Sequence, residues 1–316
     1  MFTNPVAASG PDPYAVYRAG YYFVMWTDAT EIVLRRTRDL TRVGDAETRR
    51  LFVPVDGVPA SHDLWAPELH QIGGRWYVYF TANDDRGDDR GRRIHVLGGP
   101  TADDPWVGDY AYLGPLKLPA DRYAIDGTVL EARNDHYFIW STKLDFAGGF
   151  WQHLMIARMN DPLTLGDREV VISRPDLPWE IHEQPTNEGP QLLLHGDDIW
   201  LGYSGSAYWC RHYAIGFLHA KRTGDLMDPG SWRKMPDPFF TMSEAQGVFG
   251  PGHGSFVKSP DGSEDWLLYH ARDDAGRGDR RSPRLQPVRW VDGVPDLGTP
   301  RGRATPLRLP AGTPAD

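Results

Sequence analysis

The sequence predicts an all-β chain folded as a five-bladed β-propeller. Three observations predict it. A unit made of a polar opening, an apolar strand, a tight turn and an aromatic strand occurs five times. The copies start at residues 12, 65, 126, 188 and 253, and intervals of roughly 60 residues leave room for four strands each. Helix signals are poor, because 34 Gly and 27 Pro punctuate the chain and no long 3.6-residue stripe survives between them.

The first unit is Asp12-Pro-Tyr-Ala-Val-Tyr, the turn Arg18-Ala-Gly, and Tyr21-Tyr-Phe-Val-Met-Trp-Thr27. The second opens at Trp65-Ala-Pro-Glu, turns at Gly73-Gly and continues as Trp76-Tyr-Val-Tyr-Phe-Thr81. The third opens at Asp126-Gly-Thr, turns at Asn134-Asp and continues as Tyr137-Phe-Ile-Trp-Ser-Thr142. The fourth opens at Glu188-Gly-Pro, turns at Gly196-Asp-Asp and continues as Ile199-Trp-Leu-Gly-Tyr-Ser204. The fifth opens at His253-Gly-Ser, turns at Asp261-Gly and continues as Trp266-Leu-Leu-Tyr-His270. Each reads as a hairpin closed by Gly, Asn or Asp, residues that tolerate turn backbones. Arg93-Ile-His-Val-Leu, Leu154-Met-Ile-Ala-Arg and Ala214 to Ala220 read as third strands. A large β-sandwich is the competing architecture, but it needs no five matching units. No linker or composition shift divides the chain, so residues 1–316 read as one propeller domain. The Pro-rich tail after Ala304 reads as a closing segment or a fraying end.

Composition narrows the function. Hydrophobic residues make up 40% and charged residues 24%, as in ordinary globular proteins. The net charge of -9 argues against nucleic acid and anionic membranes and suits a neutral substrate. Aromatic residues reach 12%, which fits strands and flat surfaces for sugar rings. The single cysteine, Cys210, rules out an intrachain disulfide and reads as inert. The first residues carry no basic region followed by a long apolar run, so the reading is cytoplasmic as the sequence stands, with secretion left open. No 18-residue apolar run predicts a membrane helix.

In a propeller the inner strands surround one axis, so their openings converge. Asp12, Trp65, Asp126, Glu188 and His253 would therefore meet. Three are carboxylates, an arrangement that is electrostatically costly unless it is used. Paired carboxylates in a sugar-sized pocket suit glycoside hydrolysis: one is ionised to activate water and one is protonated to serve the leaving oxygen. A third can hold the acid's pKa up. Trp65 reads as a pocket wall or as packing between blades. His62 and Asp63 read as the pocket rim or as a solvated loop. The stretch from Asp84 and Asp85 to Arg93 reads as a surface loop, as do Arg277, Arg280, Arg281 and Arg284.

The chain resembles glycoside hydrolase family 43 from Pro11 to about Arg272. The marks are Pro11-Asp12-Pro13, Trp65-Ala66-Pro67, Ile125-Asp126-Gly127, Glu188-Gly189-Pro190 and the run from Gly250 to His253, one per blade and in order. The resemblance implies that Asp12 is the general base, that Glu188 is the general acid and that Asp126 raises the pKa of Glu188 and positions it. It implies that His253 lies near the axis beside a water cluster or a metal such as calcium, no other cofactor being required. It points to a sugar-binding arginine in the fifth blade, assigned to Arg272. The expected activity is inverting removal of terminal α-L-arabinofuranosyl units from arabinan or arabinoxylan-type oligosaccharides. A β-xylosidase or an endo-arabinanase would use the same three carboxylates. A non-catalytic carbohydrate-binding propeller would not need them.

Overall fold

The computed structural model describes every residue except 56, 85–88, 147 and 315–316. Among the described residues, twenty strands form five four-stranded antiparallel sheets. The first sheet holds β1 (Tyr14–Arg18), β2 (Tyr21–Met25), β3 (Ile32–Thr37) and β4 (Glu47–Phe52). The second holds β5 (His62–Ile72), β6 (Arg75–Asn83), β7 (Arg93–Gly98) and β8 (Ala111–Pro115). The third holds β9 (Ile125–Ala132), β10 (Asp135–Phe146), β11 (Gly149–Asp161) and β12 (Thr164–Ser173). The fourth holds β13 (Asn187–His195), β14 (Asp198–Gly205), β15 (Ala214–Lys221) and β16 (Arg233–Lys234). The fifth holds β17 (Phe249–Lys258), β18 (Asp265–Arg272), β19 (Ser282–Val291) and β20 (Val294–Asp296). The expected third strands are β7, part of β11 and β15. Among the described residues the only helices are single 3-10 segments.

The first strand of each sheet packs against the first strand of the next, and β17 returns to β1, so the ring closes as a five-bladed propeller. The core lies between blades. Phe23 and Leu34 meet Leu69 and Val78 across the first interface. Tyr79 and Ile94 meet Phe138 and Trp140 across the second, and Ile139 and Leu154 meet Ile199 and Leu201 across the third. Phe217 meets Leu267 and Tyr269 across the fourth, and Leu268 and Leu285 meet Tyr22 and Val24 across the last. Alternation along each strand feeds both faces, so one aromatic strand serves two interfaces. Burying each such side chain contributes about 1.5–3 kcal/mol.

The termini seal this ring. Phe2 and Leu307 exchange backbone hydrogen bonds of 2.9 and 2.8 Å, and the Asn4 side chain bridges to Leu285. Of the two readings of the tail, closure is the one observed. The expected surface stretch from Asp84 to Arg93 is only partly described: Asp85 lies outside the described residues, and Arg93 begins β7, paired with Asp121.

Candidate active site

Near the opening of each inner strand stands a residue with left-handed backbone at an equivalent position: Asp12 (φ 54°), Ala66 (φ 42°), Asp126 (φ 55°), Gly189 (φ 57°) and His253 (φ 36°). Such geometry costs about 1–3 kcal/mol for a residue with a Cβ and persists only where neighbours enforce it. Here the aromatic strand of the preceding blade does so. The Ala66 N–H donates to Thr27 Oγ1, the Asp126 N–H to Thr81 Oγ1, the His253 N–H to Ser204 Oγ and the Asp12 N–H to His270 Nδ1, at 2.8–3.2 Å. In the fourth blade Ser141 Oγ donates to the Asn187 carbonyl instead, and the Gly189 N–H donates to Asp126 Oδ2 at 3.2 Å. A Cβ on Gly189 would lie 2.9 Å from the His253 ring, so only glycine lets the two strands approach this closely. In backbone terms the counterpart of Asp12 and Asp126 is therefore Gly189, and Glu188 sits one residue earlier.

These turns aim the side chains into a cavity of about 300 Å³ at the axis, lined among others by Asp12, Thr27, Trp65, Asp126, Gln152, Glu188, His253 and Arg281. The three expected carboxylates and His253 are all at least nine-tenths buried. Their surroundings set them apart. Asp12 Oδ1 accepts from Arg281 Nη1 at 2.6 Å and lies 3.3 Å from His253 Nδ1, and its Oδ2 accepts from Thr27 at 2.7 Å. Burial pushes Asp12 up, but Arg281, His253 and His270 outweigh it and hold it well below the usual carboxylate range. Asp126 and Glu188 are both pushed up, chiefly by burial, Asp126 to about 7 with the charges of Glu188 and Asp12 adding to the effect. Both are thereby pushed toward the protonated form, and each one's charge disfavours ionisation of the other.

Glu188 Oε1 accepts from Tyr213 Oη at 2.8 Å and Oε2 from Gln152 Nε2 at 2.9 Å. Gln152 Oε1 in turn accepts from Gln184 at 3.0 Å, which orients the amide. Burial alone would lower the pKa of His253, but Asp126, Asp12 and Glu188 outweigh it and raise it, which favours the cationic ring among these carboxylates. His270 is different. Burial and Arg281 push it down to about 3, and its Nδ1 accepts the Asp12 N–H, so the ring is neutral.

Trp65 lines the cavity, with the Arg92 guanidinium 3.4 Å above its ring. Asp63 pairs with Arg92 at 3.2 Å and so touches the site only through it, and His62 is exposed on the same strand. Arg272 is directed elsewhere. Its Nη1 donates to the carbonyls of Trp209 (2.9 Å), Gly276 and Gly278, which ties together the loops after β14 and β18. The arginine at the pocket is Arg281. The expectation of a solvated loop fails at Arg281 and Arg284, because Asp12 and Asp273 draw their guanidiniums inward. Thr27, Gln152 and Tyr213 were not singled out in the sequence, and Arg281 reads there only as loop. Only Thr27 left a signal, as the polar end of a repeated aromatic strand.

Asp126, Glu188 and His253 each bring one ligand atom within 4.8 Å of the others, close enough to share a metal ion. Calcium takes six to eight oxygens. This set offers an imidazole and carboxylates that already accept hydrogen bonds, so it fits a shared proton better than calcium.

Two variants test these electrostatics. Arg281→Ala removes a cation from a buried carboxylate, so the pKa of Asp12 should rise and the acidic limb of the kcat/KM profile should move to higher pH. The optimum should fall roughly 10–100-fold, the worth of a charge-assisted hydrogen bond. Tyr213→Phe removes a donor that favours ionised Glu188. The alkaline limb should therefore move to higher pH, with a loss of roughly fivefold for one hydrogen bond.

The sequence pattern of glycosyl hydrolases family 43 matches residues 2–295. An extracellular exo-α-(1→5)-L-arabinofuranosidase of Streptomyces avermitilis is 36% identical over 98% of this chain and 66% of its own length. Alpha-L-arabinofuranosidase B of Pyricularia oryzae is 33% identical over 95% of this chain and 63% of its own. The chain thus spans less than two thirds of the length of these two relatives. The crystal structure of an α-L-arabinofuranosidase from Lactobacillus brevis superposes with a TM-score of 0.88 at 32% identity, covering 96% of this chain and 98% of that one. With five matching blades, five matching strand openings and a family pattern spanning nearly all of its length, this chain belongs to glycosyl hydrolases family 43.

Proposed function

We propose that this chain is an inverting exo-α-L-arabinofuranosidase in which Asp12 is the general base, Glu188 the general acid and Asp126 the group that holds the acid's proton near neutrality. The observation that carries the reading is three buried carboxylates in one small cavity whose surroundings push them in opposite directions, Asp12 down toward the ionised form and Asp126 and Glu188 up toward the protonated form. Similarity to arabinofuranosidases supports the sugar. The cavity lies at the lower end of ligand-pocket sizes, which suits one terminal furanose better than the middle of a polymer.

The chemistry follows from these states. Asp12 takes a proton from water as the water oxygen bonds to the anomeric carbon. The bond to the leaving oxygen breaks, and that oxygen takes the proton from Glu188. Asp12 is a weak base, which suffices because the sugar carbon carries oxocarbenium character at the transition state. Thr27, Arg281 and His253 keep Asp12 ionised and oriented, and Tyr213 and Gln152 hold both oxygens of Glu188. His253 supplies positive charge between the acids. Trp65, with Arg92 above it, forms a flat wall for the sugar.

The Streptomyces relative is named as extracellular, and the cytoplasmic expectation gains no support from it. Among the described residues no helix is long and apolar enough to cross a membrane. The test is hydrolysis of aryl α-L-arabinofuranoside beside aryl β-D-xyloside. Preferential arabinoside turnover is expected. Preference for the xyloside would keep the mechanism and change the sugar, and turnover of neither, nor of arabinan oligosaccharides, would favour a binding protein.

A further inference from the structure

The β10–β11 hairpin outgrows its blade. Strand β9 pairs with β10 only as far as Ser141, and β12 pairs with β11 only from Leu154 onward. Between these points, Thr142–Phe146 and Gly149–His153 pair with each other, apart from a bridge from Gln152 to Thr186. A two-stranded ribbon standing clear of its sheet is marginal on its own.

Register decides what this arm presents. Lys143 lies opposite Gln152, Leu144 opposite Trp151 and Asp145 opposite Phe150. Side chains directly opposite each other share a face, and faces alternate along a strand. Lys143 and Gln152 line the cavity. Asp145 and Phe150 are therefore on that same face, one step farther out, whereas Leu144 is on the other face and packs against the second blade interface. Phe150 is 74% exposed, among the most exposed large apolar side chains described. A single exposed apolar side chain is ordinary on a protein surface; what sets Phe150 apart is its place one step out from Lys143 and Gln152 on the face that lines the cavity.

The position of the acid says what. Gln152 donates to Glu188, so the arm stands on the acid's side of the cavity. An inverting hydrolase protonates the leaving oxygen from that side, so the leaving group emerges toward the arm while Asp12 and its water act from elsewhere. We propose that Phe150 is the platform of a leaving-group subsite, where the pentose next to the cleaved bond lays its apolar face on the ring and Asp145 accepts hydrogen bonds from its hydroxyls. The inference rests on the hydrolase reading above and adds the requirement that the preferred leaving group be a saccharide.

The experiment compares kcat/KM for α-1,5-linked arabinotriose with kcat/KM for α-L-arabinofuranosyl fluoride, whose leaving atom is too small to reach Phe150. Both substrates are turned over by the same folded molecules, so their ratio does not depend on how much protein folds. Phe150→Ala should lower the ratio of trisaccharide to fluoride roughly tenfold, equivalent to about 1.4 kcal/mol, mainly through KM. Phe150→Trp, which keeps a flat ring, should restore it. An unchanged ratio in Phe150→Ala would overturn the subsite and leave the hydrolase reading standing. A parent protein inert to both substrates would overturn both.

Discussion

Asp12→Asn should abolish turnover of every arabinofuranoside, activated or not, with kcat reduced roughly 10³–10⁴-fold, near the upper range for loss of a general base. The change keeps the shape of the side chain and can still accept from Thr27. It removes the negative charge that takes the water's proton, and a better leaving group cannot compensate because water must still be activated. The same change leaves Arg281 and His253 facing a neutral group, so His253 loses one of the charges that raise its pKa. A thermal unfolding curve recorded alongside separates lost chemistry from lost folding. Added azide needs no deprotonation. It should restore part of the rate by attacking the anomeric carbon and yielding the glycosyl azide. A near-normal rate in Asp12→Asn would remove Asp12 from the base role.

The second large effect separates substrates. Glu188→Gln should cut arabino-oligosaccharide turnover roughly 10²–10⁴-fold. It should largely spare α-L-arabinofuranosyl fluoride, since fluoride departs with little help from a proton. In the parent protein the alkaline limb should be prominent with oligosaccharides and weak with fluoride, because that limb reports loss of the proton that Glu188 gives to the leaving group. The sign follows from the raised pKa values of the pair: activity is present below them and is lost as pH rises through them. Equal losses on both substrates would argue that Glu188 shapes the pocket rather than donating a proton.

Much of this molecule was legible in its residues. The five openings and five aromatic strands became the first and second strands of five blades, because strand alternation and turn residues are local properties that neighbours along the chain specify. Asp12, Asp126, Glu188, Trp65 and His253 reached one cavity for the same reason, each lying at or one residue before an equivalent point of a repeated unit. Even the residues that lock the strained openings, Thr27, Thr81, Ser204 and His270, stood visibly at the ends of the aromatic strands, although the repeat did not disclose their hydrogen bonds.

Arg272 marks where that reading stopped. It follows the fifth aromatic strand and looked suited to a sugar, yet it is spent on loop carbonyls, and Arg281, nine residues later in a stretch that reads as solvated, meets Asp12. Gln152 and Tyr213 carry no motif; they hold Glu188 because third-blade strand β11 and the segment leading into fourth-blade strand β15 pass beside it. The one-residue offset of Glu188 from the backbone counterpart of Asp12 was equally hidden, since only the left-handed turn at Gly189 reveals it.

The repeat, the blade count and the identity of the converging carboxylates follow from the residues alone, because these depend on patterns within each unit of roughly 60 residues. Folding alone settled which carboxylate is pushed toward ionisation, which two are pushed toward protonation and which arginine lines the cavity. Those outcomes depend on burial and on charges within a few ångströms, contributed by blades far apart in the chain and brought together when the last blade closes on the first.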